Sequence, residues 1–251
     1  MLPFLNLFGV AIAFPPLVLI VGIWLGASLS EKHAARYKLS GELIFNLIFS
    51  VLVAYIVGGR LSYALQHPSA FSGNLLNLLS RNAGLFDPIG GLLIAAVTAF
   101  IFGQRKQLKL WPTLDAVTPA LAVLMLAVPL ANLASGSAYG APSNMPWAIQ
   151  LWGASRHPVQ IYEAVGAALI LWAVWPGRVR STAFPGAVFL QFSAYSALAR
   201  LFFEGFRGSS LAITALDLRA AQLAAWIVLA AVLWLYQSRR SVQEESYGSD
   251  G

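Results

Sequence analysis

Cysteine is absent from the 251 residues. That removes a thiol nucleophile, structural disulfides and thiolate metal sites together, so any sulfur chemistry must use a partner's sulfur. Charge is nearly as scarce: 10% Asp, Glu, Lys and Arg against 58% hydrophobic residues, where a soluble domain carries roughly 25% charge. No polar stretch is long enough to build a soluble domain, which leaves a single helical membrane domain with short loops. The histidines, His33, His67 and His157, are scattered and no acidic cluster offers hard oxygen ligands, so neither a metal nor a cofactor is expected. A defensible Ser-His-Asp arrangement and a G-x-x-x-x-G-K phosphate loop are missing too. So are the paired Gly/Pro-interrupted segments of an inverted-repeat transporter.

What is present is a series of apolar runs: Val10 to Leu29, Leu43 to Val57, Pro88 to Phe102, Thr113 to Leu133, Val159 to Trp175, Ala183 to Phe203 and Ala220 to Tyr236. They predict an all-α integral membrane protein, a bundle of about seven transmembrane helices. Pro15 and Pro16 are expected to break or kink the outer end of the first run. No basic residue precedes that run, so it reads as retained rather than cleaved as a signal peptide. Gly22 and Gly26 form a small-xxx-small pair suited to helix packing.

The basic residues separate by side. Lys32, Arg36, Lys38, Arg105, Lys106, Lys109, Arg178, Arg180, Arg239 and Arg240 fall in alternate loops, which places those loops in the cytoplasm. The N-terminus is then outside and the C-terminus cytoplasmic, with residues 1–238 one transmembrane helical domain and 239–251 a disordered tail bearing Glu244, Glu245 and Asp250. The net charge of +6 thus reflects membrane orientation and not nucleic acid binding. The outer side carries Arg60, Arg81, Arg156, Arg200, Arg207 and Arg219, with no Lys among them. Lys is a compact hydrated charge suited to an anionic leaflet, whereas the planar Arg fork suits phosphate or carboxylate, so the outer half reads as an anion site.

The densest chemistry is Arg156 to Glu163, R-H-P-V-Q-I-Y-E. Ionisable groups at membrane depth are costly and are functional candidates by default. Pro158 suits a first helical position, leaving Arg156 and His157 just outside the helix and Gln160 and Glu163 on one face with Tyr162 nearby. The bland alternative is an Arg156–Glu163 ion pair that locks two helices. At the outer end of the sixth run, Arg200, Glu204 and Arg207 fall on one helical stripe. One Glu between two Arg leaves a positive charge for an anionic substrate, unless the three form a self-contained ladder. Gly58 to Tyr63, G-G-R-L-S-Y, lets backbones approach and offers Arg60 to a headgroup or to the interface. Gly90 and Gly91 open the third run as packing residues, with Asp87 as an N-cap. Asn132 to Trp152 is a long polar loop without an element of its own, a form that is often functional.

These strings resemble the bacterial prolipoprotein diacylglyceryl transferases. The resemblance spans nearly the whole chain: G-G-R-L-x-Y, G-G-L at Gly90 to Leu92, R-H-P-V-Q-I-Y-E, Y-x-x-x-x-R-x-x-x-E-x-x-R from Tyr195 to Arg207, and Gln222 in the last run. It implies a multi-pass protein of the bacterial inner membrane that moves the diacylglyceryl group of phosphatidylglycerol, or another anionic phospholipid, to the lipobox cysteine in the signal peptide of a preprolipoprotein. Arg200 and His157 or Glu163 would be catalytic. Arg60, Asn132, Gly140, Arg156, Gln160, Tyr162, Glu204 and Arg207 would bind substrate. The chain departs from the family pattern where Pro129 replaces an Arg and Ser137 a Glu, with Asn132 and Gly140 kept, and where Ile89 replaces a His. These departures leave a second reading open, a catalytically silent relative that binds lipid or assembles with other membrane subunits. If the charge asymmetry sets orientation, a reporter phosphatase fused to the C-terminus should be inactive, and a fluorescent protein fused there should fold in the cytoplasm and glow.

Overall fold

A computed structural model describes residues 4–7, 10–70, 84–176, 178, 184–208 and 219–248. Two short strands, β1 (Phe4–Leu7) and β2 (Val10–Ala13), pair antiparallel and lead directly into α1 (Phe14–His33). There follow α2 (Gly41–Gln66), α3 (Pro88–Arg105), α4 (Leu110–Ser135), the hairpin β3 (Ile149–Leu151) and β4 (Ala154–Arg156), then α5 (Val159–Ala173), α6 (Ala187–Glu204) and α7 (Ala220–Gly248). Each expected apolar run overlaps one of these helices. Five segments are long and apolar enough to cross a membrane: Phe14–Tyr37, Gly41–Gln66, Pro88–Arg105, Leu110–Ser135 and Ala220–Val242; Val159–Ala173 is apolar but shorter. The chain is a predominantly helical, multi-pass membrane protein.

Several boundaries differ from expectation for local reasons. Val10 to Ala13 is strand, and Pro15 and Pro16 sit in the first turn of α1, so they start the helix rather than break it. The stretch from Asn132 is not loop at once: α4 runs to Ser135 and closes on Gly136 in the left-handed region, φ 73°. The boundary expected at residue 238 falls inside α7. Arg81, Arg180, Ala183 at the start of the sixth run, and Asp250 lie outside the described residues.

Many buried positions are small, and many large apolar side chains are exposed. Ala27, Ala95, Ala116, Ala122, Ala127, Ala131, Ala167 and Ala197 are buried, whereas Trp24, Leu65, Phe100, Ile227 and Trp234 are exposed. Lipid is as apolar as leucine, so large side chains gain nothing by hiding from it, while small ones let helices approach closely. The α1–α4 contact is the most extensive in the molecule and follows this rule. Gly22, Gly26 and Ser30 are buried on α1, and a Cβ on Gly26 would lie 2.9 Å from the Cα of Ala120. Pro119 interrupts α4 at that level, and the next amide, Ala120 N, donates to Ser30 Oγ at 3.0 Å.

The α2–α3 pair is tied by Asp87. Its carboxylate accepts from Ile89 N at 3.0 Å, Ser62 Oγ at 2.6 Å and Gln66 Nε2 at 2.7 Å, the N-cap expected of it. The Ser62 hydroxyl foremost, with the Gly90 amide and then Gln66 and Ile89, holds the Asp87 carboxyl below the usual carboxylate range. Because the folded value lies below the unfolded one, this contribution is present at neutral pH and is lost as pH falls through the lowered value.

At the other end of the bundle, α6 begins on a carboxylate from α4. Asp115, buried, accepts from Gly186 N at 2.6 Å and Phe189 N at 2.9 Å, which satisfies amides that the first turn of a helix leaves unpaired. Gly186 holds φ 98°, and Trp111 packs where its Cβ would be. Arg239 of α7 lies 4.1 Å above the Trp111 ring and donates to Pro185 O at 3.2 Å, joining α4, α6 and α7 at this end. Gly26→Leu should lower the melting temperature by overpacking the α1–α4 contact, at a cost of about 1–3 kcal/mol. Gly103→Leu should not, since a Cβ on Gly103 meets nothing within 4 Å; thermal melts of the purified proteins compare them.

Candidate functional site

The opposite end of α4, α5 and α6 carries a small β-layer built from three separate parts of the chain. Gly140 bridges Arg207 and Pro142 bridges Arg156. Ala141 N donates to Phe206 O at 2.8 Å, Gly208 N to Tyr139 O at 3.1 Å, and His157 N to Ala141 O at 3.0 Å. Of the R-H-P string, Arg156 therefore ends strand β4, and Pro158 is the cap of α5 rather than its first residue. Gly140 is obligatory at the centre of the layer, because a Cβ there would run into the carbonyl of His157.

Beneath the layer lies an ionic network. The Arg207 fork grips Glu163, Nε to Oε1 at 2.8 Å and Nη2 to Oε2 at 3.0 Å, the bidentate geometry that makes such pairs strong. Arg207 Nε is 3.9 Å from Glu204 Oε2, and Arg200 Nη2 is 2.9 Å from the same oxygen. Glu204 is 1% exposed, a burial that only such pairing makes tolerable. The helix α6 ends at Glu204, so Arg207 returns to the network from a turn and not along a helical stripe. Adding Glu163 gives two Arg and two Glu. The uncompensated positive charge expected from Arg200, Glu204 and Arg207 alone is thus cancelled within the network.

The other expected residues divide. Arg156 does not pair with Glu163. Its guanidinium lies 4.7 Å from the Tyr139 ring centroid and donates to Leu151 O at 3.1 Å and Gly140 O at 3.3 Å, so it binds the β-layer together. His157 Nδ1 is 3.4 Å from the Tyr162 hydroxyl, which accepts from Trp147 Nε1 at 2.6 Å, and Phe206 packs edge-on to both rings. Gln160 is fully buried and donates to Ser137 O at 2.8 Å, tying α5 to the end of α4. Asn132 contributes its main chain, accepting from Ser137 N at 3.0 Å. Arg60 stands on the α2–α3 pair and donates to Leu85 O at 2.9 Å.

Two apolar grooves flank α6. One, of about 510 Å³, runs between α6 and α7 and is lined by Phe189, Phe192, Ser196, Arg200, Ala224 and Val228 among others. The second, of about 410 Å³, runs between α5 and α6 past Leu169, Tyr195 and Phe202. Arg200 lines the first of these grooves, and Arg60 and Arg156 line neither of the two. Among the described residues no cluster of His, Asp and Glu could hold a metal ion.

The family model for prolipoprotein diacylglyceryl transferase matches residues 4–237. The chain belongs to this family. Curated relatives named phosphatidylglycerol–prolipoprotein diacylglyceryl transferase align over nearly full length. The one from Finegoldia magna is 28% identical over 96% of this chain and 97% of its own, that from Gloeobacter violaceus 28% over 95% and 93%, and that from Ruegeria pomeroyi 29% over 81% and 78%. Within this transferase family frame, two residues were not among the candidates in the sequence, Asp115 and Trp147. Asp115 was a lone carboxylate inside an apolar run and already met the rule that flags such groups. Trp147 sat in a segment whose hairpin had no sequence signal. Arg219, one of the arginines expected on the outer side, donates from its guanidinium to the main-chain carbonyl of Glu204. If Glu163 and Arg207 form one unit, a double-mutant cycle with Glu163→Ala and Arg207→Ala should show coupling of about 1 kcal/mol or more in urea or thermal unfolding.

Proposed function

We propose that this chain transfers the diacylglyceryl group of phosphatidylglycerol to the lipobox cysteine of preprolipoproteins, at the outer face of the bacterial inner membrane, with about seven helices crossing it. One observation carries the reading: a single guanidinium, Arg200, held by the buried Glu204, forms the charged part of an apolar groove wall. A phospholipid has that shape, acyl chains in apolar space and a phosphate at the edge. The two grooves on either side of α6 give room for a lipid with two tails.

In the reaction the thiol sulfur forms a bond to the glyceryl carbon as the carbon–oxygen bond to phosphate breaks. The bonding pair leaves with glycerol phosphate, and the thiol proton goes to a base. Arg200 stabilises the charge that grows on the phosphate ester, the kind of preorganised contact that dominates many rate accelerations. Glu163 has both oxygens engaged by Arg207, so His157, whose ring nitrogen is within reach of the Tyr162 hydroxyl, is the better-placed proton acceptor. Arg207, Glu204, Gly140, Arg156 and Gln160 hold the frame, and the nucleophile comes from the substrate, in keeping with an enzyme that has no cysteine.

A second reading has its own observation. Pro129 is buried inside α4 where the family pattern has an Arg, and Ser137 stands in place of a Glu. On this reading the fold binds phospholipid without turning it over and serves other membrane subunits. Expression in cells depleted of their own transferase separates the two. The first expects the mass gain of a diacylglyceryl group on a lipobox cysteine, lost by a factor of about 10²–10³ in rate with Arg200→Ala. Correctly inserted protein that gives no mass gain would sink it.

A further inference from the structure

The ionic network beneath the β-layer is neutral by count, with Arg200 and Arg207 against Glu163 and Glu204. An anionic headgroup arriving at Arg200 therefore meets a guanidinium already engaged by a carboxylate 2.9 Å away. Net attraction has to come from a cation outside the network. Arg156 is spent on two backbone carbonyls and a tyrosine ring, Arg60 belongs to the α2–α3 pair, and α4 carries Pro129 where the family pattern has an Arg.

Arg219 meets the requirement. It is half-buried and directly precedes α7, whose Ala221, Ala224, Ala225 and Val228 form the other wall of the groove that Arg200 lines. Its Nη1 donates to the carbonyl of Glu204, the residue whose carboxylate holds Arg200. Its backbone is fixed by Gln222, which accepts from Arg219 N at 3.2 Å and donates its own amide to Arg219 O at 2.9 Å. The partner of the guanidinium is thus a neutral carbonyl, and among the described residues no carboxylate pairs with it. Arg219 stands one residue before α7, which forms one wall of the α6–α7 groove.

We propose that Arg219 is a headgroup-binding residue, the second guanidinium that with Arg200 holds the phosphate ester of an anionic phospholipid whose acyl chain lies between α6 and α7. The assignment rests on the lipid-transfer reading above and adds to it a residue outside the strings that carry the family resemblance. Among the residues lining this groove Arg200 is the one cation, and Glu204 already engages it, so the selectivity for anionic over neutral lipid is placed on Arg219.

The test uses the full-length chain in detergent micelles, titrated with short-chain phosphatidylglycerol, glycerol phosphate and short-chain diacylglycerol. Glutamine at 219 keeps a donor for the Glu204 carbonyl and removes the charge, so Arg219→Gln separates electrostatics from architecture. We expect it to weaken phosphatidylglycerol about tenfold, the order of one lost charge-assisted hydrogen bond, with diacylglycerol binding unchanged and Arg219→Lys restoring most of the loss. A matching loss for glycerol phosphate assigns the site to the phosphate ester as such; a loss confined to the lipid assigns it to the bound phospholipid. Equal weakening of diacylglycerol would make Arg219 a packing residue and overturn the proposal. So would unchanged phosphatidylglycerol binding in Arg219→Gln while Arg200→Gln loses it. If neither variant weakens phosphatidylglycerol, the lipid reading of the groove falls as well.

Discussion

Glu204 is the constraint on which the β-layer end of the bundle depends. A carboxylate that is 1% exposed in an apolar bundle is tolerable only if its partners stay in place. Those partners fix the geometry around it. Arg200 reaches it from one turn earlier on α6, Arg207 from the turn after the helix, and Arg219 grips its carbonyl from the start of α7. Glu163 then ties α5 in through Arg207. Five charged side chains and one backbone carbonyl thereby join α5, α6 and α7, a task for which their alanine-rich faces have little specificity.

The same division of labour holds through the fold. Close approach comes from small residues, as where Gly26 meets Ala120 and Gly91 meets the carbonyl of Tyr55. Angular definition comes from a few polar contacts placed at helix ends, with Asp87 on α3 and Asp115 on α6. In hydrocarbon a hydrogen bond has no water to compete with, so a single well-placed carboxylate can orient a helix that packing alone leaves free to slide.

The helices were legible because apolar length is a strong signal and the charges between runs punctuate it. All seven runs correspond to helices, with ends displaced by the local chemistry of Pro15, Pro16 and Gly136. The motif residues Gly140, Arg156, His157, Glu163, Glu204 and Arg207 come together at one end of the bundle. Their pairings could not be read. Whether Glu163 faces Arg156 or Arg207 depends on the turn after Glu204, and that turn is fixed by strand pairing to residues some sixty positions earlier. Spacing within one helix says nothing about such a contact. Arg60 shows the converse, a convincing motif whose side chain serves a different helix pair.

Helix α6 is held at its first turn by Asp115 and at its last residue by the arginine cluster, with an open groove along each flank. A beam clamped at both ends resists axial sliding and rotation far more than it resists sideways yielding of its neighbours. Guests that enter from the bilayer would thus be accommodated by α5 or α7 leaning away, while Arg200 and Glu204 on α6 keep their depth. In the proposed transfer, depth is the coordinate that matters, since a soluble leaving group would depart toward water and a fatty product would stay behind.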